Sequence, residues 1–326
     1  MKKKLIAFLL AALMVLSLAA CGGSSDNGGG DDAASEKFVV GVCQLVQHDA
    51  LDAATQGFVD TLEAEFGDDV EVVVKNASGD PANCTTICNG FVSDDVDLIM
   101  ANATPALQAA VTATGDIPIL GTSVTEYGCA LGIDDFSGVV GANVSGTSDL
   151  ASLADQAAMF KEWLPDAKSV GILYCSAEAN SAYQVKVVSA ELEKLGIDVT
   201  AFAFTDSNDV ASVTQKAVDS CDALFIPTDN TAASNIEAIG NIVLEAKIPV
   251  ITGEKGTAAV CGVATLSIDY YNLGVTTANM AIKILKGEAD IATMAIENDP
   301  NPVKMFNAEV CELLGLTPLE GFEAIA

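Results

Sequence analysis

Polar side chains gather after the apolar runs of this sequence, and their types sort into two chemistries. In the first half stand Gln44, His48, Asn102, Thr104, Ser123 and Thr125, mostly hydroxyls and amides. Beside helix N-termini such a set holds an anion, for instance a carboxylate, through hydroxyl donors and backbone dipoles. The second half offers Ser176, Glu178, Asn180, Ser181, Thr228, Asp229, Asn230 and Glu254, and its carboxylates suit an ammonium group. Every basic residue is a lysine, so a bidentate guanidinium clamp on a carboxylate is not on offer. A zwitterion across the two sets, carboxylate on dipoles and amine on carboxylates, is the chemistry this composition supports. Taken singly, each hydroxyl or amide has a simpler use in capping a helix, and Thr104 and Asn230 are placed for it.

Catalysis finds little support. His48 is the one histidine, so any Ser/His/Asp arrangement must pass through it, and no nucleophile elbow is present. Residues 253–257 (GEKGT) lack the spacing of a phosphate loop. Cys84 and Cys88, four apart on an expected helix, have no second pair of ligands nearby in sequence. No metal and no cofactor is expected.

The elements that must position these residues alternate. Residues 38–45 (FVVGVCQL) read as a buried strand, 50–66 as a helix, 70–75 as a strand and 83–92 as a helix. A strand over 96–101 (VDLIMA), a helix over 104–113 and a strand over 117–120 follow. Strands separated by helices of this length mean βαβ units and a parallel sheet. The pattern restarts with a strand over 169–174 (SVGILY) and a helix over 180–195 stopped by Gly196. Strands over 197–204, 223–226 and 248–252 then alternate with helices over 209–219 and 231–246.

The halves share one element order at an offset of about 130 residues, the scale of a duplication. Asp97-Leu98-Ile99 leads to Thr104 and Ala106 as Asp222-Ala223-Leu224 leads to Thr231 and Ala233. Likewise Asp116-Ile117-Pro118-Ile119 answers Lys247-Ile248-Pro249-Val250. The expected fold class is therefore α/β: two Rossmann-like lobes with parallel sheets flanked by helices. In such sheets ligands bind past the carboxyl ends of the strands, which is where both polar sets fall.

Lys2, Lys3 and Lys4 precede an apolar run over 5–18 that ends in Leu18-Ala19-Ala20-Cys21. The run is short for a membrane span, which needs about 20 residues, and the layout is that of a secretory signal. Residues 22–36 (GGSSDNGGGDDAASE) have no apolar periodicity and make a coil with a reach of roughly 20 Å. The formal net charge of −30 repels nucleic acid and anionic headgroups, so nucleic-acid binding is excluded. Beyond Cys21, eight cysteines remain, and sequence does not choose between disulfides and buried thiols.

Several segments carry a resemblance. Ala103-Thr104-Pro105-Ala106, Ser123-Val124-Thr125, Glu178-Ala179-Asn180-Ser181, Pro227-Thr228-Asp229-Asn230-Thr231 and Asp269-Tyr270-Tyr271-x-Leu273-Gly274 resemble the solute-binding proteins of ABC importers of the tryptophan and tyrosine type. Asn307-Ala308 and Leu314-Gly315-Leu316-Thr317-Pro318 extend the likeness from about residue 38 to the end. Leu-Ala-Ala-Cys likewise resembles the bacterial lipobox, which implies lipidation of Cys21 after cleavage. The resemblance implies a type I periplasmic-binding-protein fold with three chain crossings between the lobes and an aromatic amino acid ligand, tryptophan or tyrosine. It also implies an ABC permease with its ATPase as partner and a lipid-anchored place on the extracytoplasmic face of the cell membrane. A tethered capture protein of this kind has no need to self-associate, so a monomer is expected.

The domains so read are a signal peptide over 1–20 and a lipid-anchored linker over 21–36. The N-terminal lobe takes 37–145 plus 268–294, and the C-terminal lobe 146–267 plus 295–326. Residues 141–149 (GANVSGTSD) read as the first hinge, a helix from Tyr270 to Lys286 returns to the first lobe, and the tail from Ala295 crosses back. The expected ligand-binding residues are Gln44, His48, Thr104, Ser123, Thr125, Glu178, Asn180, Ser181, Asp229, Asn230, Glu254 and Tyr270. Two positions depart from the family pattern: His48 is followed by Asp49 instead of proline, and Thr125 by Glu126-Tyr127 instead of Asp-Pro. Tyr127, Tyr183 and Tyr270 are candidates to stack on an aromatic ligand. A sensor passing ligand state to a membrane receptor uses the same cleft, and nucleosides or sugars are the alternative ligands.

Overall fold

Valine-rich runs punctuated by helices set the architecture. The structure is a computed structural model and describes residues 37–299 and 301–325. The signal segment, the linker and Cys21 lie outside the described residues. Strand β1 (Phe38–Gln44) is buried along its last five residues, as a central parallel strand covered on both faces must be. It leads through α1 (Asp49–Phe66), β2 (Val70–Asn76), α2 (Pro81–Ser93), β3 (Leu98–Asn102), α3 (Thr104–Ala113), β4 (Ile119–Val124) and α4 (Tyr127–Leu131) to β5 (Val144–Ser148).

The chain then crosses and builds a second unit of the same kind. It runs through α5 (Leu153–Trp163), β6 (Ser169–Cys175), α6 (Ala179–Lys194), β7 (Asp198–Phe204), α7 (Val210–Val218) and β8 (Ala223–Ile226). Next come α8 (Asn230–Ser234), α9 (Ile236–Ala246), β9 (Val250–Thr252), α10 (Lys255–Cys261) and β10 (Ala264–Ser267). Helix α11 (Tyr270–Leu285) and β11 (Glu297–Asn298) return to the first unit, and β12 (Val303–Phe306), α12 (Ala308–Leu314) and β13 (Glu323–Ala324) close the second.

The first sheet has the order β11-β5-β4-β3-β1-β2 and is parallel throughout. The second has the order β13-β12-β10-β9-β8-β6-β7, with β12 antiparallel to β10. Two α/β lobes with helix-flanked parallel sheets are thus linked by three crossings. Helix α11 is held in the first lobe by a glycine crossing: a Cβ on Gly274 would overlap the Ala54 carbonyl oxygen, and one on Gly57 would overlap that of Tyr271. Backbones of α1 and α11 therefore touch. A hydroxyl chain completes the seating, Thr147 to Thr277 at 2.8 Å and to Thr122 at 3.1 Å.

Three sequence expectations are corrected. The glycine- and serine-rich stretch read as a hinge is mostly strand, because residues 144–148 form β5 inside the first sheet. Gly146 stands at φ 144° against the Gly121 backbone, so it serves close approach and not looseness. Only the residues after Ser148 cross, and residues 146–148 and 297–298 pair in the first sheet, although the sequence reading gave both segments to the second lobe. Second, the helix expected over 231–246 is two helices. Asn235 breaks it by turning its Nδ2 onto the Thr231 carbonyl at 2.8 Å, the acceptor a continuing helix reserves for the backbone. Third, β4 runs on to Val124, four residues past its expected end, since Thr122 and Ser123 are buried polar strand residues.

Candidate functional site

The ends of β3 and β4 lie side by side, with Asn102 in register with Thr122. Directly after each, the backbone is strained: Ala103 has φ 93° and Ser123 φ 53°, both outside the range that residues with a Cβ prefer. Such strain costs of order 1–3 kcal/mol per residue and persists where the surroundings enforce it, commonly at binding sites. The two strained points stand just before Thr104 and at Ser123 itself. Helix α3 opens at Thr104 with no side chain capping it, so its first N–H groups keep their donor capacity. The Thr104 and Ser123 hydroxyls are buried without a partner, and so is the Asn102 Oδ1. Two free hydroxyls and an uncapped helix N-terminus are donors of the kind a carboxylate takes.

Gln44 plays another part. Its amide oxygen accepts from Thr55 at 2.6 Å and its Nε2 donates to the Val46 carbonyl and Asp52, tying β1 to α1.

In the second lobe every oxygen of the three carboxylates expected to meet an ammonium group already accepts at least one hydrogen bond. Glu178 accepts from the Asn230 N–H and Nδ2, from Asn180 Nδ2, and from the Thr231 N–H and hydroxyl. Asp229 caps α8 through Ala232 N–H at 2.8 Å and accepts the Cys175 N–H at 2.6 Å, with Ser181 beside it. Burial, reinforced by the charge of Glu178, pushes the Asp229 carboxyl up to about 7. Glu254 caps α10 through the N–H groups of Gly256 and Thr257, both at 2.5 Å. Asn180 donates to the Thr228 carbonyl at 3.1 Å, while its Oδ1 is buried and unpaired.

A fourth carboxylate, absent from the sequence reading of the site, lies between the two lobes. Asp149 begins the first crossing, and one of its oxygens accepts the Tyr270 hydroxyl at 3.0 Å. Its other oxygen, Oδ1, is buried with no hydrogen-bond partner. Burial pushes this carboxyl up to about 6; the Tyr270 and Thr125 hydroxyls oppose the shift and the Glu254 charge adds to it. Had residues 144–148 been recognised as a strand, the rule of polar residues past strand ends would have found Asp149 as it found Thr125.

Two contacts bridge the lobes at the rim. His48 Nε2 meets Asn230 Oδ1 at 3.2 Å, and the Cys129 thiol reaches the Ala179 carbonyl at 3.7 Å. A cavity of about 480 Å³ flanks the crossings beside Tyr270, and one of about 380 Å³ opens beside Glu178 and Asn230. Of the three tyrosines, Tyr127 is committed inside the first lobe, its hydroxyl on the Thr147 carbonyl at 3.0 Å and its ring stacked on Phe136. Tyr270 is committed to Asp149, and Tyr183 is half-buried on α6 near Glu126 and Cys129 of the first lobe.

The eight described cysteines are free thiols, with Cys43 against Cys84 and Cys88; those neighbours and burial hold it well above the usual thiol range. Among the described residues, no group of three or more His, Cys, Asp or Glu side chains is arranged to hold a metal ion.

Comparison with known proteins gives this geometry a setting. The family model described as ABC transporter substrate binding protein matches residues 39–320. A tyrosine-binding protein of Clostridioides difficile is 36% identical over 256 residues, 77% of this chain and 73% of its own length. A Streptococcus pneumoniae ABC domain solved in complex with L-Trp is 32% identical, with a TM-score of 0.83 over 87% of this chain and 96% of that one. The ligand-free, open structure of a Clostridium difficile substrate-binding protein with adhesive properties is 35% identical over 88% of this chain and 99% of that one, with a TM-score of 0.67. A Bacillus halodurans solute-binding protein with bound myo-inositol, 18% identical and with a TM-score of 0.62, covered to 99% by 87% of this chain, shares the type I periplasmic-binding-protein fold. By the family match over residues 39–320 and these relatives, this chain belongs to the ABC transporter substrate-binding protein family.

Proposed function

We propose that this chain captures an aromatic amino acid, tyrosine or tryptophan, between its lobes and delivers it to an ABC permease with its ATPase. In this reading it works from the extracytoplasmic face of the membrane, held there by a lipid on Cys21. The observation that carries the amino acid class is the pair of buried, unpaired hydroxyls of Thr104 and Ser123, together with the uncapped start of α3. They supply what a carboxylate needs where no arginine is available. The C. difficile tyrosine-binding protein and the L-Trp complex support the aromatic choice. So does the agreement of the motifs around Thr104, Ser123 and Asn180 with that family.

The test is calorimetric titration of the purified full chain with the twenty amino acids, common nucleosides and sugars. Binding confined to tyrosine, tryptophan or phenylalanine is the expected result. A nucleoside or sugar binding in place of every amino acid would overturn the ligand while leaving the capture role. Lipidation is checked separately: Cys21→Ala releases the protein from the membrane fraction if the anchor is as proposed.

A further inference from the structure

We infer that Asp149, at the first crossing between the lobes, receives the ammonium group of the bound amino acid through its Oδ1, with Tyr270 as its positioning residue. This rests on the amino acid reading above and names a different ammonium partner from the three carboxylates that the sequence suggests.

Glu178 receives five donors, Asp229 receives backbone N–H groups on both oxygens, and Glu254 receives one N–H on each. An ammonium ion directed to any of them would share oxygens that already hold α8 or α10 in place. Asp149 differs, because Oδ2 is fixed by Tyr270 and Oδ1 is buried with no partner within hydrogen-bond distance, the Thr125 hydroxyl standing beside the carboxyl. A buried carboxylate oxygen without a donor is costly, and a cation placed against it removes that cost.

Position agrees with charge. The Thr125 hydroxyl beside Asp149 belongs to the end of β4, the strand that carries Ser123. Tyr270 also meets Thr228, at the end of β8 in the second lobe. Asp149 therefore sits where groups from the strand ends of both lobes meet. A zwitterion bound across these groups would contact the first lobe with its carboxylate and the crossing with its amine. The titratable groups facing Asp149 are Tyr270 from α11, Glu254 ahead of α10 and Tyr127 of α4. None of them brings a positive charge.

The experiment titrates wild type, Asp149→Asn and Tyr270→Phe with L-tyrosine and L-tryptophan. It repeats this with their desamino counterparts, 3-(4-hydroxyphenyl)propionate and indole-3-propionate. Asp149→Asn should weaken the amino acid by about 100-fold, the scale for truncating a buried charge pair, and leave the desamino acids bound at least as tightly as before. Tyr270→Phe should weaken the amino acid less. It should also move the pH below which affinity falls to a higher value, since the tyrosine hydroxyl favours the ionised carboxyl. Equal losses for amino and desamino acids, or unchanged amino acid binding in Asp149→Asn, would overturn the assignment alone. Failure of wild type to bind any amino acid would overturn the underlying reading as well.

Discussion

Removing the charge of Asp149 should stabilise the protein in the absence of ligand. The carboxyl is fully buried and held at about 6 instead of 3.8, chiefly by desolvation. At about 1.4 kcal/mol per pH unit, the ionised form costs the folded state about 3 kcal/mol, an upper figure since local relaxation relieves part of it. The sign follows from the direction of the shift. Between 3.8 and about 6 the folded protein holds this proton more tightly than the unfolded chain does, so the cost is absent at low pH and complete above the folded value. Asp149→Asn keeps an acceptor for the Tyr270 hydroxyl and drops the charge. Its melting temperature should exceed that of wild type by roughly 6 °C at about pH 7.5, and the gain should shrink to about 1 kcal/mol near pH 4.5. Thermal melts of both proteins at the two pH values measure this directly. A variant less stable than wild type at neutral pH, or a difference independent of pH, would refute the view of Asp149 as an uncompensated buried charge.

Other substitutions probe the rest of the site. Thr104→Val removes a hydroxyl with no partner, so stability should hold while affinity for an aromatic amino acid falls about 10-fold by calorimetry, the scale of one hydrogen bond to a charged group. Its decarboxylated amine should bind both proteins alike. His48→Ala deletes a bond between the lobes of about 1 kcal/mol, so stopped-flow fluorescence should show ligand leaving several-fold faster with association little changed. Gly146→Ala sets a Cβ into the Gly121 backbone at a φ suited to glycine. Denaturant unfolding should register a loss of about 3 kcal/mol or more, as for other overpacked and strained sites.

Where burial is apolar, the sequence is informative about this fold. Strands β1, β3, β6 and β8 are covered on both faces and read as continuous hydrophobic runs. The repeated order of such runs and helices shows two lobes. Legibility fails where burial is polar. Thr122, Ser123, Ser145, Thr147 and Ser148 are all buried strand residues, yet by type they look like loop, so the end of β4 and the whole of β5 escape the pattern. The site divides along a related line. That polar residues stand at the strand ends is a local property, and Thr104, Ser123 and Asn180 follow from it. Which of their atoms remain free is not local. Both oxygens of Glu178 are taken up by donors from Asn230 and Thr231, more than fifty positions away, and no spacing rule reveals those bonds.

On the proposed function, the unpaired buried groups between the lobes are what a bound solute would satisfy. The bonds seen across the rim, His48 to Asn230 and the thiol of Cys129 to Ala179, are weak ones, about 1 kcal/mol or less each. Against them stand the buried charge of Asp149, worth about 3 kcal/mol, and the buried hydroxyls of Thr104 and Ser123. Water or a ligand reaching these groups would satisfy them. On the proposed reading, a solute carrying both a carboxylate and an ammonium group would satisfy them with the lobes together, and its differential affinity for that form would favour it. A solute with only one of the two charges leaves one pole unpaired. The site would thus select zwitterions through the cost of closing on anything else, and the aromatic group would be chosen by the space left between the poles.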